Sequence, residues 1–219
     1  MVSVLGALSL TGAGATAVVA GRWALHRRDS LGRPRAFPVW SVSLLALLTI
    51  AAAIPGLRRH QEEQRLARAA SALVGVHVTV HCQTTAGALV DATGELGFVR
   101  YSADGVPERS TLIKREPCGA LRHYLGHKHG PSREEIIAVH VLTHEAMHMR
   151  GQTNEAMAEC EAVQRDSRTA ELLGASAADA HLLAVAYWQT VYPLMPDNYR
   201  TPDCTPGGAL DEHLDSSPW

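Results

Sequence analysis

At 219 residues the chain is long enough for one domain of usual size plus extra segments, and a formal net charge of −2 offers no basic surface for nucleic acid. Aromatic residues are sparse and Ala, Leu and Val dominate the apolar fraction, which disfavours a large β-sandwich and suits helices.

The first quarter of the chain is unlike the rest. Residues 2–20 are uncharged but softened by Gly6, Gly12 and Gly14. They lack the basic start of a signal segment and predict a first spanning helix whose small residues let it pack closely on a second. Residues 37–57 carry no charge over 21 positions, with Trp40 near one end. At about 1.5 Å per residue this covers a bilayer core of ~30 Å. Between the two runs lie Arg22, Arg27, Arg28, Arg33 and Arg35. The positive-inside rule puts that loop in the cytoplasm and the rest of the chain on the extracytoplasmic side. Arg58, Arg59, Arg65 and Arg68 pull the other way, partly offset by Glu62 and Glu63.

Residues 58–74 predict a linker helix with Leu66, Ala69, Ala70 and Leu73 on one face. Strands are expected at 76–82, 96–102 and 110–114. Turn residues Gly87, Asp91 and Gly94 separate the first two, and Ala103-Asp104-Gly105 follows the second. By structural analogy alone, the first strand could be an edge along which an extended peptide aligns. Helices follow at 117–126, 133–149, 154–173 and 176–192. Ser132 with Glu135 forms a capping box, Gly151 is a stop and Thr153 is the next N-cap. The tail, 201–219, reads as irregular and tethered by Cys204.

Cys82, Cys118, Cys160 and Cys204 all follow the apolar runs, and none forms a C-x-x-C pair. In an exported domain such a set suggests two disulfides; of the three pairings, the sequential one, Cys82–Cys118 and Cys160–Cys204, is expected. Four buried thiols would be the cytosolic reading.

The densest chemistry lies in His144-Glu145-Ala146-Met147-His148. Residues i and i+4 share a helix face, so both imidazoles can reach one Zn2+ ion at ~2.0–2.1 Å. Glu145, turned about 100° away, can act as general base on the attacking water. The surrounding Ile136, Ile137, Val139, Val141, Leu142 and Met147 predict a buried helix, where two histidines and a glutamate need partners. His140, one turn earlier, is either a hydrogen-bonded core histidine or part of a cleft wall. His123, His127 and His129 read as solvated loop histidines. Tyr187, Tyr192, His181 or Tyr199 could supply an oxyanion donor, and the sequence does not choose among them.

Past His148 the chain departs from the metzincin pattern, since Asn154 stands at its third-ligand position. It resembles the gluzincin peptidases instead: Asn154-Glu155-Ala156-Met157-Ala158-Glu159 matches their N-E-A-x-x-[DE] segment. The resemblance covers about 16 positions and implies His144, His148 and Glu155 as zinc ligands, Glu145 as general base and Glu159 as the carboxylate behind a ligand histidine. Only six residues separate His148 from Glu155, fewer than in larger gluzincins. Glu155 and Glu159 share a face, so their roles can exchange. The compact outline resembles the minigluzincin type.

The expected architecture is α+β and mainly helical. A transmembrane helical hairpin (1–57) and linker helix (58–74) precede a small sheet and HExxH helix bundle (75–200), followed by the tail. The expected function is a membrane-anchored zinc metallopeptidase, its partners a peptide or protein substrate and the cytoplasmic membrane. Two alternatives are a structural zinc site closed by His144, His148, Glu155 and Glu159, and a tethered helical binding module with an incidental motif.

Overall fold

In the computed structural model, which describes residues 4–28, 31–88 and 94–219, the chain forms two units, Met1–Gln61 and Glu62–Trp219. Of the expected turn residues between the first two strands, Asp91 lies outside the described residues.

The first unit contains helix α1 (Val4–Leu25) and the first part of α2 (Val39–Val74). The two helices approach at Gly12, where a Cβ would collide with the Thr49 hydroxyl. Thr16 and Thr49 donate to the carbonyls of Gly12 and Leu45 one turn earlier, at 2.9 and 2.7 Å, so neither hydroxyl needs an outside partner. Among the described residues, α2 is the one helix long and apolar enough to cross a membrane, and its Leu44, Leu47, Leu48 and Ile50 are exposed. The expected break between an apolar run and a linker helix is absent: α2 continues through Pro55. A proline in a helix removes one N–H donor and crowds the preceding turn, a local defect that the long flanking helix carries.

The second unit is α+β and mostly helical. Leu66, Ala69 and Ala70 of α2 are buried in its core, as the amphipathic pattern predicts. Glu63 accepts the Cys82 N–H at 2.9 Å and Glu62 pairs with Arg122 at 2.7 Å. The sheet consists of β1 (Thr79–Cys82), β2 (Gly97–Tyr101) and β3 (Pro107–Ile113), in the order β1-β3-β2, with the single-turn helix α3 (Thr85–Ala88) after β1. β1 runs parallel to β3, with Cys82 opposite Ile113, and β2 runs antiparallel, with Gly97 opposite Ile113. The segment expected to form a sheet edge does so as β1, held by Glu63 and by the Cys82–Cys118 disulfide, while β2 and β3 are the strands packed on the motif helix.

Helices α4 (Arg115–Gly126), α5 (Arg133–Met149), α6 (Glu155–Val163), α7 (Asp166–Leu172) and α8 (Ala177–Thr190) complete the unit, with 3₁₀ turns at Tyr192–Leu194 and Asp197–Tyr199. The expected single helix over 154–173 is two. Gln164 is buried at the break and donates to the carbonyls of Cys160 and Leu210 at 3.1 and 2.9 Å. A side chain that takes a helix carbonyl competes with the backbone, and this one also ties the break to the tail. The helix starts at Asn154 rather than Thr153, because the Asn154 side chain accepts the Met157 N–H.

Both disulfides form with the expected pairing, Cys82–Cys118 and Cys160–Cys204. The tail is irregular, but it is fastened by more than Cys204. Arg165 makes a two-pronged pair with Glu212, Ser216 donates to the Gln164 carbonyl, and Trp219 packs edge-on against Trp188.

Candidate metal centre

α5 is buried from Glu135 to Met149 except at Ile137. Its start is fixed as expected: the Ser132 hydroxyl accepts the Glu135 N–H at 3.3 Å, and the Glu135 carboxylate accepts the Ser132 N–H at 2.7 Å. The far end turns at Gly151, whose φ of 111° suits glycine, and the Asn154 cap starts α6. This tight turn folds Glu155 back over the exposed edge of the histidine pair.

His144, His148 and Glu155 converge on one point. The two Nε2 atoms are 2.9 Å apart and lie 3.1 and 3.3 Å from Glu155 Oε2. His148 Nδ1 donates to the Gln152 carbonyl at 2.7 Å, which leaves its Nε2 lone pair facing the cluster in the neutral ring. A tetrahedral ion with bonds of ~2.0–2.1 Å would set ligand atoms about 3.3–3.4 Å apart, close to this triangle. The charges also suit a cation. Burial would lower His144, but Glu155 and Glu159 hold it up to about 9; His144 and His148 hold Glu155 down to about 2.

A second group shares His144 through its other ring edge. Glu159 Oε2 lies 2.9 Å from His140 Nε2 and 3.1 Å from His144 Nδ1, although the latter is too poorly aligned for a hydrogen bond. His140 Nδ1 meets Asp166 Oδ2 at 2.8 Å, and Tyr187 donates to Glu159 Oε1 at 2.6 Å while stacking on the His140 ring at 3.7 Å. Burial alone would lower His140, yet the two carboxylates hold it up to about 10. Burial likewise opposes the charge on Glu159, but His140 and His144 keep its carboxyl well below the ordinary range.

Both His/Glu groups could hold a metal ion. In the His140–Glu159 group, imidazole N–H donors face carboxylates. In the other, the two Nε2 atoms and Glu155 Oε2 face one another, an arrangement that either a proton on His144 or a cation can satisfy.

Glu145 is 4% exposed, beside His144 and His148 but pointing toward the sheet. Burial pushes its carboxyl up to about 7, against the pull of His144 and His148. Thr111 of β3 places its hydroxyl 3.3 Å from Glu145 Oε2 and 3.0 Å from the Phe98 carbonyl. At Gly97 of β2 an added Cβ would stand 2.9 Å from Glu145 Oε1. The strand therefore needs glycine for room, not for an unusual backbone angle.

A cleft of about 330 Å³ opens beside His144 and Glu145, between β2, α5 and the segment after α8. Of the candidate oxyanion donors, Tyr187 is spent on Glu159, Tyr192 interacts with Thr201, and His181 is exposed outside the cleft. Tyr199 lines the cleft with its ring 5.8 Å from His144. His140 belongs to the cleft wall and to a hydrogen-bonded core network at once. The loop histidines are largely exposed, with His123 on Glu135 and His129 on Asp179. Sequence reasoning missed Asp166, Thr111, Gly97 and Tyr101, whose hydroxyl lies 3.3 Å from His148 Nδ1. All four reach the site from other elements, and no local pattern marks them.

No family model matches the chain, and the searches of curated proteins and of solved structures found no match either.

Proposed function

We propose that the chain is a membrane-anchored, gluzincin-like zinc peptidase that hydrolyses peptide bonds, with His144, His148 and Glu155 as ligands. The observation that carries this reading is the triangle of two Nε2 atoms and one carboxylate oxygen, all within 3.3 Å, beside a cleft and a buried glutamate. A bound zinc ion would supply Lewis acidity, activating water and polarising the scissile carbonyl.

The chain's own groups account for the proton. Glu145, with its carboxyl near neutrality, takes a proton from the attacking water and returns it to the leaving amine. Thr111 and the bare face of Gly97 fix the position of that carboxylate. Tyr199 is the cleft tyrosine placed to donate to a developing oxyanion. Glu159, held by His140 and Tyr187, stands 3.1 Å from His144 Nδ1 as the carboxylate behind that ring. The same grip argues against a structural site closed by all four residues, because both Glu159 oxygens are engaged away from the Nε2 edge.

The exposed apolar run of α2 supports the membrane anchor, and the approach of α1 at Gly12 supports a two-helix hairpin. Two disulfides favour an oxidising, extracytoplasmic location for the second unit. The test is Glu145→Gln in the full chain: zinc content should be unchanged while casein or peptide-library hydrolysis drops by about 10²–10⁴-fold. Equal hydrolysis in both proteins would refute the assignment of Glu145.

A further inference from the structure

We infer that the cleft selects peptides carrying an apolar side chain near the scissile bond and a carboxylate further along, with Arg133 as the residue that binds the carboxylate. This rests on the peptidase reading. The cleft follows one face of α5: Glu145, Val141, Ile137 and Arg133 recur at intervals of four, and all line it. Its middle is apolar, with Leu194 and Leu96 on the rims 74% and 43% exposed, surface that water would not favour leaving bare. At its end stands a cation.

Arg133 does not serve its own helix, because a positive charge in the first turn opposes the helix dipole while Glu134 and Glu135 follow it. One guanidinium nitrogen donates to the Thr190 carbonyl at 3.0 Å, in the last turn of α8. That bond holds the head at the cleft and leaves the other donors of the fork unassigned; no carboxylate among the described residues pairs with it at ion-pair distance. A guanidinium fork matches a carboxylate, whether an acidic side chain or a chain terminus. From Glu145 to Arg133 the helix rises about 18 Å, which an extended chain covers in about five residues.

The experiment uses the zinc-loaded full chain in detergent micelles. Quenched fluorescent peptides carry leucines about one central bond and, two to five residues away, either Glu or Gln. A parallel set has a free or an amidated C-terminus. For one such position, kcat/KM should favour the carboxylate member by about tenfold or more, mainly through KM. The position separates side-chain from terminal carboxylate. In Arg133→Gln that ratio should fall toward one, and Arg133→Lys should restore part of it. A merely structural arginine would lower all peptides alike and leave the ratio unchanged, which would overturn the proposal. If nothing is cleaved, the peptidase reading fails by itself. The same labelled pairs are then read by fluorescence anisotropy on Glu145→Gln protein, with and without Arg133→Gln, where equal binding of Glu and Gln members overturns the carboxylate site.

Discussion

Gly97 shows how one missing side chain shapes the site. The atom that a Cβ would strike is the tip of Glu145, which can swing away, so the fold should survive while the base is displaced. Gly97→Ala should therefore retain zinc and nearly the parent melting temperature but hydrolyse peptides about 10–100-fold more slowly, as misplacement by an ångström does. Unchanged turnover would mean that Glu145 is not held where the chemistry needs it. The titrating groups give a second expectation. In chelator-treated protein, His140 and His144, raised to about 10 and 9, hold protons that the unfolded chain releases near 6.5. Glu145, raised to about 7, holds one otherwise released near 4.5. The native state then binds more protons than the unfolded state from about pH 5 to 9, so stability falls as pH rises, by up to ~1.4 kcal/mol per unit for each group. Glu155 works in the opposite sense: its contribution is present above 4.5 and is lost as pH falls through about 2. Urea midpoints should peak in mild acid and decline toward pH 9, while saturating zinc, which displaces the ligand protons, should stabilise more at pH 8 than at pH 6. A metal-free midpoint that rises toward pH 9 would contradict this electrostatic picture.

Helix α5 was legible in advance because its signals are local. Ser132, Glu135, the apolar run and Gly151 mark its ends, and the structure places it at Arg133–Met149 with the capping box in place. Ser132→Ala should lower unfolding free energy by about 1 kcal/mol, read as a shifted urea midpoint without loss of zinc. A loss well above 2 kcal/mol would show that Ser132 does more than cap. The break between α6 and α7 was not legible, because Gln164 takes its partners from the tail, 46 residues away at Leu210. The break gives α7 its own start at Asp166, the residue that meets His140. Nor was it legible which strand lies beside α5: 76–82 and 96–102 both look like strands, and their places on either side of β3 are set only by tertiary pairing.

For the whole molecule, the disulfides tie the site to its surroundings. Cys160 follows Glu159 on α6, and its bond to Cys204 fastens the segment after Tyr199 to the helix that carries Glu155. Cys82–Cys118 fastens the far edge of the sheet to α4, leaving β2 and β3 against α5. The histidine pair, Glu145 beside it and the capping residues could be read from the sequence, whereas the buried chain Asp166–His140–Glu159 and the walls of the cleft arise only when four helices and a sheet meet. The most direct measurement is zinc content by elemental analysis of the purified full chain beside Glu155→Ala and His148→Ala. The account predicts about one zinc per parent chain and a marked loss in both variants. A folded parent without zinc, or one that keeps its zinc when Glu155 and His148 are removed, would contradict it.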